Sequence, residues 1–198
     1  MISQLDSKRS DQILYTYRQL YKNFATVFQE LVPGGQAELV LLGGQDDAAT
    51  EQEGLEAATG LSTAVTFSGG AGARKNMEQL SGGQKTLVAL AFIFAIQRCD
   101  PAPFYLFDEV DAALDTDFRQ HLESILFLLT PPCRRAIASV ICQQSSSAQF
   151  ITTTFRPELL SRAHRHFGVF FRGKASQVLA VGREEALQFV ESGEVVRD

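Results

Sequence analysis

The sequence predicts an α/β fold, with a mainly parallel sheet flanked by helices and a long N-terminal helix of coiled-coil type. Apolar runs of strand length alternate along the chain with segments of helical periodicity, which is typical of this class. One run, Phe104-Tyr105-Leu106-Phe107, is continuously apolar, as expected for a buried strand of a parallel sheet. A heptad-like spacing near the N-terminus predicts the coiled-coil helix.

Composition is that of one ordinary globular domain. The chain has 198 residues, of which 45% are apolar and 21% are charged. Its net charge of −5 argues against attraction of nucleic acid to the whole surface. No apolar stretch is long enough to span a bilayer, so we expect no membrane partner. The three cysteines have no metal-site spacing, so we expect free thiols in a reducing compartment, the cytosol or nucleus.

The first predicted element is one long helix that ends at Pro33-Gly34-Gly35. An ordinary amphipathic helix explains its pattern as well as a coiled-coil seam does. Further apolar residues widen the stripe, so we expect its end to enter a core. The chain then divides into an arm, residues 1–32, and a lobe, residues 33–198. The apolar residues that step by four and three are Ile13, Tyr17, Leu20, Phe24, Val27 and Leu31.

The lobe alternates between strands and helices. Residues 43–60 are acidic and lack apolar periodicity, so we interpret them as a solvated loop. The strands are predicted at residues 37–42, 61–67, 104–107 and 150–155, and a hairpin is predicted around Gly173. The helices are predicted at residues 81–98, from Asp115 to about residue 129, in a short turn at Pro157, and at residues 184–191.

Two acids follow the apolar strand directly. Ligands of open α/β sheets bind at the carboxyl ends of the strands, where Asp108 and Glu109 are expected. A bound cation offsets the repulsion between adjacent carboxylates. In nucleotide hydrolysis, Asp108 would hold Mg²⁺ through its water shell and Glu109 would orient or deprotonate the attacking water. A plain turn after a strand explains the pair equally well when it is taken alone.

The second motif is Leu80-Ser81-Gly82-Gly83-Gln84 at the start of a predicted helix. Ser81 is a suitable helix cap, and glycines let backbone N–H groups approach an anion closely. The helix dipole adds partial positive charge at the same end. The motif therefore suits a terminal phosphate, although a glycine-rich cap would look the same.

A phosphate-binding loop is missing. Such a loop reads GxxxxGK followed by Ser or Thr, and no window of the sequence satisfies it. In the glycine-rich stretch 69–75, Arg74 precedes Lys75 and Asn76 follows it. With no segment to hold the α- and β-phosphates, we expect the isolated chain to be inactive.

Together these motifs resemble the C-terminal lobe of an ABC-type ATPase head. LSGGQ resembles the signature motif, Asp108-Glu109 the Walker B pair, and residues 110–115 the D-loop, with Asp111, Ala113, Leu114 and Asp115. The form DEVDAALD is similar to the SMC (structural maintenance of chromosomes) ATPases. Residues 99–103 and 149–160 resemble the third SMC subunit of eukaryotic cohesin.

The resemblance implies a divided site. The chain's own N-terminal lobe, beyond a coiled coil, would supply the phosphate loop, and Glu109 would be catalytic. The signature residues would contact ATP on the head of the first SMC subunit. A kleisin subunit, DNA held by the assembled complex, ATP and Mg²⁺, and a nuclear, chromosome-associated location are implied as well.

Two departures from the family stand out. Many ABC ATPases have a His that senses the γ-phosphate at the position of Phe155. In this chain that switch role is either absent or taken by Thr153 or Thr154. Residues 130–147 look like an insertion, a lineage-specific loop or a mistranslated segment. Two alternatives remain open. One is a head lobe of a double-strand-break repair ATPase, but that class tends to have Pro at the position of Val110. The other is a lobe that docks nucleotide without hydrolysis, but such a lobe has no need for Glu109.

Overall fold

The computed structural model describes residues 2–43, 54, 57–67, 74–110 and 131–192. Its helices are α1 (Ile2–Leu31), α2 (Gly82–Cys99), α3 (Pro131–Gln144), α4 (Pro157–Leu160) and α5 (Arg183–Ser192), with a 3-10 turn at Met77–Gln79. Its strands are β1 (Gln36–Leu42), β2 (Gly60–Thr66), β3 (Lys75–Asn76), β4 (Phe104–Asp108), β5 (Gln149–Thr153), β6 (His166–Arg172) and β7 (Ala175–Val181).

The C-terminal end of α1 enters the core, as the widening apolar stripe predicts. Phe24, Val27, Phe28 and Leu31 are fully buried, whereas Ile13 is 43% exposed. The ring of Phe24 meets Phe92 of α2 edge-on at 5.8 Å between centroids. Gly34 takes a φ of 82°, a left-handed conformation that glycine adopts without strain, and so turns the chain into β1.

Helix α2 joins the two halves of the core. Its residues Phe92 and Arg98 contact Phe24 and Glu30 of α1. Its residue Phe94 contacts β4 and β5 through Phe107 and Phe150, at 5.8 and 6.4 Å between ring centroids. Tyr105 stacks on Phe150 at 5.2 Å. This aromatic cluster holds β4 against the helix and therefore sets the position of the residues that follow the strand.

The expectation of a mainly parallel sheet differs from what the described residues form. Only β4 and β5 pair in parallel, as their long crossover connection requires. The pairs β1–β2, β2–β3 and β6–β7 are antiparallel. The strands β6 and β7 are joined by a tight turn at Gly173, whose φ is 60°, and such a turn permits only the antiparallel arrangement.

Residues 130–147, interpreted from the sequence as an insertion, a lineage-specific loop or a mistranslated segment, contain helix α3. Cys133, Ile137, Ala138 and Val140 are buried in the core, so the segment packs as an amphipathic helix. The two prolines that suggested a break occupy the first turn, where the missing N–H groups have no intrahelical partner to lose. The expected loop 43–60 and the helix from Asp115 to about residue 129 lie mostly or wholly outside the described residues.

The remaining elements agree with the bounds predicted from the sequence. Helix α1, the strands, the hairpin and the closing helix begin and end within a few residues of their predicted bounds. All three cysteines are free thiols. Among the helices of the described ranges, none combines the length and apolarity that crossing a bilayer demands.

Candidate functional site

Asp108 and Glu109 lie at the carboxyl end of β4, as the sequence predicts. Asp108 is the last residue of the strand, and both acids are exposed. Asp108 pairs in register with Thr153, the last residue of the parallel strand β5. The two strand ends therefore meet at one edge, where open α/β sheets bind ligands.

A single hydroxyl links the two acids. The Thr153 Oγ1 hydroxyl donates to Oδ1 of Asp108 at 2.6 Å. The backbone N–H of Glu109 donates to the same Oγ1 at 2.9 Å. Thr153 thus bridges the Asp108 carboxylate and the Glu109 main chain across the two strands.

Glu109 has an unusual backbone conformation. Its φ of 45° lies in the left-handed region, which non-glycine residues rarely adopt and which concentrates at functional sites. This φ turns the chain sharply as it leaves β4. The residues expected to form the D-loop, Asp111, Ala113, Leu114 and Asp115, lie outside the described residues.

The face of the sheet that carries Asp108 is apolar and open. Side chains alternate along β4, so Phe104, Leu106 and Asp108 share one face, whereas Tyr105 and Phe107 face the core. Phe104 is 59% exposed and Leu106 is 66% exposed. Ile151 of β5, on the same face, is 47% exposed. Parallel strands are normally covered on both faces, so a layer over this one is missing from the described chain.

Ser81 caps α2 through a reciprocal capping box. Its Oγ accepts from the N–H of Gln84 at 3.4 Å, and its own N–H donates to Oε1 of Gln84 at 3.2 Å. Within the described part of the chain, no acceptor pairs with the amides of Gly82 and Gly83. First-turn amides have no intrahelical acceptor and can bind an anion; of these two residues, Gly82 is exposed and Gly83 is buried.

Leu80 and Gln84 support this turn from inside. Leu80 is 5% exposed and belongs to the core, and Gln84 is 6% exposed. Neither side chain is open to a ligand. Gly83 is buried as well, so Ser81 and Gly82 are the residues of the motif that the structure leaves open to a ligand. Sequence reasoning grouped all five as binding residues because a capping box and a binding loop use the same pattern.

The Ser81 motif and the acidic pair are separated by most of the length of α2. Ser81 begins the helix, and Phe94, thirteen residues later, packs against Phe107 beside Asp108. At 1.5 Å per residue, this places about 20 Å of helix between the cap and the contact with β4. The phosphates of one nucleotide do not bridge such a distance.

The proposed switch residues separate into different roles. Thr154 Oγ1 accepts from the N–H of Arg156 at 3.0 Å and so stabilises the turn after β5. Phe155 is 65% exposed and has no polar side-chain atom. The hydroxyl proton of Thr153 is already donated to Asp108. Sequence analysis missed this link because it depends on the register of β5 against β4.

One stretch approaches the spacing of a phosphate loop. From Gly168 to Gly173-Lys174 the residues read GxxxxGK, but Ala175 follows instead of Ser or Thr. The structure forms an antiparallel hairpin here, β6 and β7, with Lys174 in its turn. A phosphate loop instead connects a strand to the N-terminus of a helix, so this stretch is not one.

Comparison with known proteins identifies the family of the chain. The family model described as the RecF/RecN/SMC N-terminal domain matches residues 16–177. The chain is 44% identical over 196 residues to structural maintenance of chromosomes protein 3 of Caenorhabditis elegans, covering 96% of this chain and 14% of that protein. It is 42% identical over 202 residues to chromosome segregation protein sudA of Emericella nidulans, covering 96% and 16%. The chain therefore spans only a small part of these curated relatives.

Solved structures give the same result. The Smc head domain with a coiled coil and joint from Pyrococcus yayanosii has a TM-score of 0.76 and 32% identity, covering 97% of this chain and 32% of that one. A chain from work on ATP-driven dimerisation and DNA-stimulated activation of SMC ATPases has a TM-score of 0.69 and 31% identity, covering 92% and 96%. The chain belongs to the RecF/RecN/SMC family and has the α/β fold of an SMC ATPase head.

Proposed function

We propose that this chain is the C-terminal half of a cohesin-type SMC ATPase head, active only when a second lobe and a partner head complete it. The observation that carries the proposal is the acidic pair at the end of a strand whose apolar face lies open. Phe104, Leu106 and Ile151 flank Asp108 on that face. A lobe that covers these side chains would bring its own residues directly beside the acids.

The absence of a phosphate loop in the sequence supports the same division of the site. Neither residues 69–75 nor the hairpin at Gly173 fulfils the motif or its strand-to-helix setting. We infer that the complementary lobe supplies this loop. Asp108 and Glu109 would then serve the nucleotide that this lobe holds.

The donor set of the site fits Mg²⁺. The described residues contain no group of three or more His, Cys, Asp or Glu side chains able to hold a metal. Mg²⁺ needs no such group, since it is usually bound by one or two carboxylates, water and substrate phosphates. Asp108 would hold the ion through its water shell, with Oδ1 oriented by Thr153. The ion, when bound, neutralises charge on the phosphates.

Glu109 is the proposed catalytic residue. Its side chain is exposed at the rim and its backbone is fixed by the bond to Thr153. In that position a carboxylate would orient the attacking water or accept its proton. A lobe that only docks nucleotide has no need of this group.

Ser81, Gly82 and Gly83 are proposed to bind the γ-phosphate of ATP on a partner head. The amides of Gly82 and Gly83, which have no acceptor among the described residues, support an anion site. The length of α2 between Ser81 and its contact with β4 supports a second nucleotide. ATP would then join two heads, and hydrolysis would release them. The D-loop residues Asp111, Ala113, Leu114 and Asp115 are proposed to lie at this junction.

The assignment to cohesin rests on the relatives. Among them are structural maintenance of chromosomes protein 3 of Caenorhabditis elegans and of Arabidopsis thaliana, the latter 40% identical over 206 residues. The Smc head of Pyrococcus furiosus, bound to the C-terminal domain of ScpA, has a TM-score of 0.71 and 30% identity. By analogy we propose the first SMC subunit, a kleisin and DNA as partners, in a nuclear, chromosome-associated complex that maintains sister chromatid cohesion.

The proposal is tested in a head reconstituted from this chain, the lobe with the phosphate loop and the partner head. Glu109→Gln keeps the shape of the side chain and removes its charge, so it should trap the ATP-bound pair of heads. Ser81→Arg puts bulk at the helix N-terminus and should block ATP-driven engagement. Ser146→Arg, on an exposed turn, is the matched control. Light scattering measures engagement. Heads that separate normally with Glu109→Gln, or engage normally with Ser81→Arg, contradict the assigned roles.

A further inference from the structure

The hydroxyl of Thr153 occupies a central place among the proposed site residues. It donates to Oδ1 of Asp108 at 2.6 Å and accepts from the N–H of Glu109 at 2.9 Å. A threonine hydroxyl has one proton to donate, and here Asp108 takes it. Thr153 therefore has no proton left for a phosphate oxygen, which removes it as a γ-phosphate sensor.

We propose that Thr153 is a positioning residue that holds the Asp108 carboxylate and the Glu109 backbone in one fixed arrangement. This inference rests on the proposed ATPase function. The bond to Oδ1 sets the rotation of the carboxylate and leaves its other oxygen for the water shell of the cation. The bond from the Glu109 amide sets the direction in which the chain, and with it the Glu109 side chain, leaves the strand.

The backbone of Glu109 explains why such a residue is needed. A φ of 45° is a left-handed conformation that a residue with a Cβ does not hold without support from its surroundings. In the described structure, the hydrogen bond from the Glu109 backbone N–H to the Thr153 hydroxyl provides this support. Without it, Glu109 gains access to ordinary backbone conformations that direct its carboxylate elsewhere.

Neighbouring residues do not replace Thr153. Thr154 uses its hydroxyl oxygen on the N–H of Arg156, and its side chain follows the opposite face of the strand. The parallel register pairs Asp108 with Thr153 and with no other residue of β5. The position therefore requires a short side chain with a hydroxyl on the face that carries Asp108.

The variants that test this are Thr153→Val, which keeps the shape and removes the hydroxyl, and Thr153→Ser, which keeps the hydroxyl. Thr26→Val is the matched control, because the exposed Thr26 hydroxyl donates a hydrogen bond to the Lys22 carbonyl, within α1 and away from the proposed site. All are made in the full-length chain, assembled with its partner head and kleisin. Because residues that orient metal ligands and catalytic groups typically affect activity by 10- to 100-fold, we expect Thr153→Val to lower kcat by about that factor.

Three readouts separate positioning from a general structural effect. The KM for ATP should change by less than about threefold, because the phosphates are held elsewhere. The Mg²⁺ concentration that half-saturates ATP-driven head engagement should rise by about tenfold. In the nucleotide-free protein, hydrogen exchange at the Glu109 amide should accelerate by about tenfold or more. Thr153→Ser should restore all of these, and Thr26→Val should leave them native.

The outcomes distinguish this inference from the proposed function. If the native assembly hydrolyses ATP and Thr153→Val matches its kcat and amide exchange, the positioning role is wrong and the ATPase function stands. If Thr153→Ser is as impaired as Thr153→Val, the hydroxyl is not the cause and the role is also wrong. If the native assembly shows no ATP hydrolysis that depends on Glu109, the proposed function is wrong, and the positioning role is wrong with it.

Discussion

The open face of β4 allows a quantitative test of how this chain is completed. Leu106 lies at its centre and is 66% exposed. Fully burying a leucine side chain is worth about 1.5–3 kcal/mol, so covering the exposed two thirds contributes about 1–2 kcal/mol. Leu106→Asn keeps a similar shape, adds no charge beside Asp108, and leaves a buried amide unpaired at a further cost of about 1–3 kcal/mol.

Leu106→Asn should therefore weaken binding of the lobe with the phosphate loop by about 2 kcal/mol or more, which is about 30-fold in Kd. The free energy of unfolding of the isolated chain should change by less than about 1 kcal/mol, since the side chain is mostly in water there. Calorimetry with the two lobes as separate chains measures the first quantity, and urea denaturation measures the second.

Leu5→Asn is the matched control. Leu5 is 62% exposed, but it lies nineteen residues before Phe24, where α1 packs on the core, or about 28 Å along the helix. Its substitution should leave the affinity of the two lobes unchanged. If Leu106→Asn binds the other lobe within about threefold of the native chain, the open face is not covered by that lobe and the reasoning fails.

Two further predictions concern the core. Phe94→Ala should lower the free energy of unfolding by about 3–5 kcal/mol in urea, because Phe94 is fully buried against Phe107 of β4 and Phe150 of β5; a loss below about 1 kcal/mol would contradict its central place. Burial raises the pKa of the Cys133 thiol to about 11, so at pH 8 a thiol reagent should label the partly exposed Cys99 and Cys142 first, and Cys133 only on unfolding; equal rates in the folded chain would refute this.

Local physical signals predicted the elements that position the site. The apolar run of β4 and the two acids after it placed Asp108 and Glu109 at the rim, because strand ends are set by local pattern. The capping pattern placed Ser81 at the start of α2. The seam of α1 identified the buried end of the helix, since helical periodicity reports directly on the face that packs.

Features that depend on tertiary context were not predictable in the same way. The prolines at residues 131 and 132 suggested a break, whereas they begin α3, whose burial is decided by its packing in the core. The mainly parallel sheet was expected from helix–strand alternation, but the hairpin turn at Gly173 makes β6 and β7 antiparallel. The link from Thr153 to Asp108 depends on strand register, which no local pattern in β5 specifies.

The central claim is that this chain holds half of an ATPase site, and steady-state ATP hydrolysis tests it most directly. We expect a pure, monomeric preparation of residues 1–198 to show no turnover. Activity should appear when the lobe with the phosphate loop and the partner head are added, and Glu109→Gln should abolish it. Turnover by the isolated monomer that Glu109→Gln removes would contradict the account.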